Sequence, residues 1–206
     1  MTIDLNDAHI FLSASFPSGD RGERYRPFDP SEISSAVTAV ARTVFASGGH
    51  LVFGGHPTIT PLILLVAAEH ERRGAVDIYQ SRWFDSEIPV ETRRLEEMGF
   101  GKIRWTPRRS SRTKSLRLMR ATMIRESRPV AAVFVGGMEG IEEEWRAFGQ
   151  RCPGKPRLAM TGPGGGAARL PVDEAVPVSL RQEFATQRYP VAAFRLVEFL
   201  GQSQLG

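Results

Sequence analysis

Apolar positions along this chain follow two rhythms. Short runs rich in β-branched and aromatic residues recur at positions 9–14, 51–53, 76–79, 102–105, 130–135 and 157–161. Such runs, closed by glycine or polar turns, read as buried strands. Between them the apolar period lengthens to that of a helix. Ser31 and Glu32 open one, with Ile33, Val37, Val40, Ala41 and Val44 on one face, and Gly48-Gly49 ends it. Residues 59–73 form a second helix, apolar enough to demand burial against a sheet, and Gly74 follows it. Further helices are predicted over 90–98, 111–126 and 140–150. A last one, over 184–199, carries Phe184, Tyr189, Val191, Phe194, Leu196 and Val197.

Strands that alternate with helices pair in parallel through crossover connections. The expected fold class is therefore α/β: one doubly wound, mainly parallel sheet with helices on both faces. One domain over residues 1–206 is expected, with its core at about 8–160 and a helical tail at 180–200. That tail packs on the sheet edge or on a second subunit. In such sheets a ligand lies beyond the C-terminal strand ends, where strand order reverses.

Two glycine turns stand at such ends. Gly54-Gly55-His56-Pro57-Thr58 follows the second strand, and Gly136-Gly137-Met138-Glu139-Gly140 follows the fifth. A strand, a glycine turn and a helix start bring free N–H groups to one spot, which suits an anion. Two such units suggest a nucleotide-like ligand. Thr58 is placed to cap the helix after it, and His56 lies in the predicted crevice, where it would bond a phosphate or a base. Ser13 and Ser15, at the first strand's exit, offer hydroxyls to phosphate or ribose, or simply form the turn. After the second turn, Glu139, Glu142, Glu143 and Glu144 crowd a helix start. There they either complement the helix dipole or face the crevice and take ribose hydroxyls. Arg117 and Arg120 share a face of the preceding helix, three residues apart, and one of them would reach a phosphate. The loop from 162 to 166 is glycine-rich but lacks a clear following helix, and reads as a connector.

Composition narrows the classes. With 41% hydrophobic and 24% charged residues the chain is ordinary for a globular protein. Its single cysteine, Cys152, excludes an internal disulfide framework and argues against a cysteine-based metal site. We expect no metal and no tightly held cofactor. No apolar run reaches spanning length and the N-terminus lacks a signal-peptide pattern, so a cytoplasmic protein that does not enter membranes is expected. The formal charge is +4, and basic residues gather between Arg104 and Arg128. No aromatic residue interleaves the stretch from Arg108 to Lys114 and no DNA-binding motif accompanies it. A phosphate-facing or solvated stretch is expected there, not a nucleic-acid surface. The G-x-G-x-x-G, Walker A and G-x-S-x-G patterns are all missing.

Taken together, the two glycine turns, the Arg/Met-rich helix and Val133-Phe134-Val135-Gly136-Gly137 followed by glutamates resemble the SLOG superfamily. That group joins LOG-type phosphoribohydrolases, DNA-processing DprA proteins and sensor domains of bacterial defence systems. Ser13-Ala14-Ser15-Phe16-Pro17 with Gly54-Gly55-His56-Pro57 looks closest to the branch associated with TIR domains and nucleoside phosphorylases. The resemblance covers about residues 8–160 and implies a Rossmann-like fold. LOG enzymes carry P-G-G-x-G-T-x-x-E. Here Val135 stands at the proline, Met138 and Glu139 replace one spacer residue, and Ile141 stands where the threonine would be. The final glutamate corresponds to Glu143 or Glu144, and the upstream arginine to Arg120 or Arg117.

Two functions follow from the resemblance. The first is a sensor of a nucleotide-derived signal such as ADP-ribose or a cyclic ADP-ribose. The turns and Thr58 would hold phosphate, Glu139 or Glu143 the ribose, and Arg24 or Arg26 would close over the ligand. A sensor would act on a separate effector or TIR protein. The second is a nucleotide N-glycosidase using Glu143 or Glu144 with Arg120, or a deoxyribosyltransferase with a glutamate nucleophile. The motif departures favour sensing. A homodimer or larger homo-oligomer is implied, with residues 59–68 or the C-terminal helix as candidate surfaces.

Overall fold

The computed structural model describes residues 3–204. Six strands form one all-parallel sheet: β1 (His9–Ser15), β2 (His50–Gly54), β3 (Val76–Ser81), β4 (Lys102–Thr106), β5 (Ala131–Gly136) and β6 (Arg157–Met160), ordered β4-β3-β2-β1-β5-β6. The helices are α1 (Gly19–Glu23), α2 (Pro30–Ala46), α3 (Ile59–Glu69), α4 (Val90–Glu97), α5 (Arg112–Ser127), α6 (Glu139–Arg151), α7 (Val178–Phe184) and α8 (Tyr189–Gln204).

The period-two alternation of the strands divides the core. Ile10 and Leu12 of β1, with Ala131, Val133 and Val135 of β5, face a layer built on α2, α3 and α8. The residues between them, Phe11, Ala132 and Phe134, face α5 and α6. Each inward side chain is covered by an apolar helix stripe, and this burial supplies most of the driving force for folding. The expected α/β class, parallel pairing and two helical layers are all present. From β1 the chain steps outward to β4 with its helices on one face. It then crosses back through α5 on the other face to β5. Strand order therefore reverses between β1 and β5.

Helix boundaries agree with the sequence rhythm to within a few residues, with two exceptions. The helix expected over 59–73 stops at Glu69, and Glu71 reverses the chain at φ +53°. The tail is two helices, α7 and α8, broken at residues 185–188. As expected of the tail, α7 lies against the edge strand β6, and just past that strand the Thr161 N–H donates to the Phe184 carbonyl at 3.0 Å. Ala192, Ala193, Leu196, Val197 and Leu200 of α8 bury themselves in the α2 layer. Val191 and Phe194, read from the sequence as part of the packing stripe, point outward and are 41% and 49% exposed.

Among the described residues no helix is long and apolar enough to cross a membrane, and no cluster of His, Cys, Asp and Glu could hold a metal ion.

Candidate functional site

A cavity of about 570 Å³ opens beyond the C-terminal ends of β1, β2, β3 and β5. It sits at the reversal of strand order, the position doubly wound sheets give to a ligand, and its size lies in the range of small-molecule sites. β1 contributes Ser13 and Ser15, and the first glycine turn contributes Gly54, Gly55 and His56. From α6 come Glu139, Glu143 and Glu144, with Met138 just before them, and Arg120 reaches in from α5. Ten of the residues singled out from the sequence thus share one cavity.

The others lie elsewhere. Thr58 is exposed and outside the cavity. Gly136 and Gly137 form the turn behind it. Arg24 is exposed and does not line it, whereas Arg21, three residues earlier on α1, does. Arg26 pairs with Glu23 at 2.6 Å and covers the Phe28 ring. Arg117 faces the opposite side of α5. There it joins Arg108, Arg109, Lys114 and Arg151 in a shallow basic groove.

The two glycine turns are built differently. At the first, Thr58 makes no capping bond. The His56 ring does the capping: Nδ1 accepts from the N–H groups of Thr58 at 3.3 Å and Ile59 at 3.4 Å. The His56 N–H in turn donates to Thr60 Oγ1 at 2.9 Å. The N–H groups expected to meet an anion are therefore already bonded. Nδ1 must be unprotonated to accept, and burial pulls the His56 pKa below its ordinary value, in the same sense. The Gly55 N–H donates to the Tyr79 carbonyl at 2.9 Å. Glycine is needed at 55 because a Cβ there would strike the Gln80 amide. That turn serves a close approach between β2 and β3.

At the second turn Gly136 and Gly137 both take left-handed φ, +60° and +77°, which glycine alone adopts cheaply. The Gly137 N–H is spent on the Ser15 carbonyl at 2.7 Å, and the Gly137 carbonyl accepts from Gly166 at 2.8 Å. The loop over 162–166 is thus a packed connector under the turn. α6 itself starts at Met138 with no side-chain cap. Its first-turn residues Met138, Glu139 and Gly140 line the cavity, so this helix start, unlike that of α3, remains open. Ile141, at the position of the LOG threonine, is buried against Gly137 and Gly166 and offers no hydroxyl.

Arg120 lies across that start. Its guanidinium pairs with Glu143 and, through Nε at 2.9 Å, with Glu144. Arg120 and Glu144 are each 14% exposed in their side chains, Glu143 53%. Gly140 permits the approach, since a Cβ there would stand 3.0 Å from the guanidinium. The arginine expected to hold a phosphate is therefore neutralised by the two carboxylates expected to be catalytic. Among the described residues, the cations without a carboxylate partner at the cavity are Arg21, and Arg112 stacked 5.5 Å from the Phe84 ring centroid.

Sequence reasoning missed the far wall. Gln80, at the end of β3, and Thr92, on α4, both line the cavity. A polar residue closing an apolar strand was the available signal, because the central strands of this fold end at the crevice.

An all-parallel, Rossmann-like sheet with an open cavity at its switch point defines a ligand-binding α/β protein. The SLOG cluster3 family matches residues 26–191, and the chain belongs to that family. Its fold is shared with TM1055, solved by X-ray crystallography as Northeast Structural Genomics Consortium target VT76. The two are 15% identical with a TM-score of 0.58, over 93% of this chain and 98% of that chain. No curated protein matches the chain in sequence. Family and fold together support a nucleotide-related ligand-binding role.

Proposed function

We propose that this chain senses a nucleotide-derived ligand of the ADP-ribose or cyclic ADP-ribose type. The observation that carries the reading is the open start of α6 beside Glu139 and an Arg120–Glu143–Glu144 cluster in which the guanidinium is already paired. Free N–H donors next to a carboxylate acceptor suit a ribose diol, which both gives and takes hydrogen bonds. A bare phosphate there would meet Glu139 and Glu142 in the first turn of α6. Phosphates belong instead toward Arg21 and Arg112, with Ser13 and Ser15 between. Binding would then be passed to a separate effector, such as a TIR protein, through a homodimer or larger assembly of this chain. The family resemblance supports that role, and the outward Val191 and Phe194 of α8 offer a surface for the assembly.

A second reading, an N-glycosidase, keeps one observation in its favour: Glu143, Glu144 and Arg120 meet in the same cavity. Against it, both carboxylates are already occupied by the guanidinium. A thermal-shift titration with AMP, ADP-ribose and cyclic ADP-ribose, followed by product analysis, separates the two. Ligand at a hundredfold over its dissociation constant adds about 2.7 kcal/mol of stability. Recovery of intact ligand is expected. Release of free base, lost in Glu143→Gln/Glu144→Gln while binding persists, would establish the enzyme instead. No shift with any probe would sink the nucleotide reading.

A further inference from the structure

Five cations meet in a groove of about 860 Å³ on the face of α5 turned away from the cavity. Arg108 and Arg109 come from the loop after β4, Lys114 and Arg117 from α5, and Arg151 from the end of α6. Arginines elsewhere sit beside carboxylates, as Arg42 does with Glu69 and Arg104 with Asp77. Among the described residues none of these five has a carboxylate partner. The fold gathers them all the same. The Arg109 N–H donates to Ser115 Oγ at 2.9 Å, and that hydroxyl donates to the Ser111 carbonyl at 2.9 Å, so the loop is pinned to the first turn of α5. That turn carries Arg112 and Lys114 and no acid, against the helix dipole. Like charges held together at a helix start raise the energy of the free protein, and an anion in the groove relieves them.

The surroundings say which anion. The groove's apolar lining is only Leu118 and Ala121, both half-buried. A protein partner needs apolar or aromatic anchors at the centre of its interface, where charges are depleted. Phosphates need no such anchor, and guanidinium forks bind them bidentately. Aromatic rings do reach this surface, although the stretch from Arg108 to Lys114 contains none. Trp83, in the 3₁₀ turn Arg82–Glu87, lies 4.2 Å from the Arg108 guanidinium, and its neighbour Arg82 lies 4.1 Å from the ring of Trp105 on β4. Both indoles are half-buried and both arginines exposed. The fold thus supplies the interleaving of cation and ring that the sequence lacks. A chain that alternates phosphates with flat rings matches it. We propose that this strip binds single-stranded nucleic acid, with phosphates in the groove and bases against the Arg–Trp pairs, and with no preference for sequence. The proposal does not depend on the nucleotide reading, whose ligand lies on the other face of α5.

Fluorescence anisotropy with a labelled 20-nucleotide oligo-dT tests it, on wild type and on Lys114→Gln/Arg117→Gln, from 50 to 200 mM salt. Both substituted side chains are exposed and outside the cavity. Wild type is expected to bind with a log K that falls linearly with log salt. The double variant should bind at least about tenfold more weakly at 50 mM, with a slope shallower by about 1.4, the loss of two phosphate contacts. Unliganded, it should melt no lower than wild type, because repulsion is relieved; if it melts lower, Arg108→Gln in the loop takes its place. An abasic strand of the same length should bind wild type about tenfold more weakly than oligo-dT, for want of a stacked base. Oligo-dT that fails to bind wild type at 50 mM salt, or binds the variant equally well, overturns the proposal. Abasic strand, or polyglutamate of equal charge, binding as tightly as oligo-dT would make the groove a general anion trap and overturns it too.

Discussion

The two glycine turns look like twins in the sequence and are opposites in the structure. At 54–55 the glycines allow close approach, Gly54 to Met119 and Gly55 to Gln80, and the helix behind them is closed by a histidine ring. At 136–137 the glycines take left-handed φ to swing the chain off β5, and the helix behind them starts uncapped in the cavity. A shared local pattern thus served two needs, close packing at one turn and backbone reversal at the other. Only the second leaves helix N–H groups for a ligand.

The sharpest way to break the pairing is alanine at each turn. Gly136→Ala puts a side chain at φ +60°, 2.6 Å from Ile33 Cδ1 and 2.7 Å from the Ser15 carbonyl oxygen. Backbone strain and overpacking together cost about 3 kcal/mol, on the order of 10 °C in Tm for a chain of this size. Gly55→Ala meets the movable Gln80 amide and, at 3.3 Å, Ile78 Cγ2, and costs about 1 kcal/mol. Thermal melts of the two variants check the ratio. Equal losses would mean that both turns are governed by backbone conformation.

The next contrast lies within the ion-pair cluster. Arg120→Met leaves Glu144, 14% exposed, without its partner, a loss of about 2 kcal/mol for a mostly buried carboxylate. Glu143→Gln touches a residue 53% exposed and should cost less than about 1 kcal/mol. Denaturant titration of both variants, and of Arg120→Met/Glu144→Gln, checks this. The double variant should recover most of the Arg120→Met loss, because the stranded charge is gone. A double variant as unstable as Arg120→Met would place the loss in packing instead of charge.

The architecture was legible because each layer of it is written in periodicity. Strands such as 130–135 are apolar on both faces and alternate with amphipathic helices along the chain, and that order implies a doubly wound sheet. The rotation of α8 was not legible. Its apolar residues cover more than one face, and the small Ala192 and Ala193, not Phe194, settle against α2. The site was legible wherever glycine marked a strand exit. It was hidden where a side chain acted on the backbone, as His56 does in place of Thr58. It was hidden again where β3 ended without any glycine, at Gln80. Arg21 was missed for Arg24 because the loop after β1 contains the short helix α1, which decides which arginine turns inward.

The histidine cap makes the difference between the turns depend on pH. His56 accepts through Nδ1, and burial lowers its pKa from the ordinary 6.5. The folded state thus favours the neutral ring, so below pH 6.5 the unfolded chain binds the extra proton. The stability from this group is present above about pH 6.5 and drains away as pH falls from there through the folded pKa. His9, also lowered by burial and by neighbouring His50, adds a slope of the same sign. The difference between wild type and His56→Asn isolates the cap, since asparagine can accept the same bonds without titrating in this range. Melts from pH 8 to pH 5 should show the two proteins close together at pH 8. By pH 5 wild type should have lost about 1 kcal/mol more than the variant. His56→Ala should forgo that cap at every pH. Parallel pH profiles for wild type and His56→Asn would mean that the ring does not cap α3, and that the start of α3 is as open as that of α6.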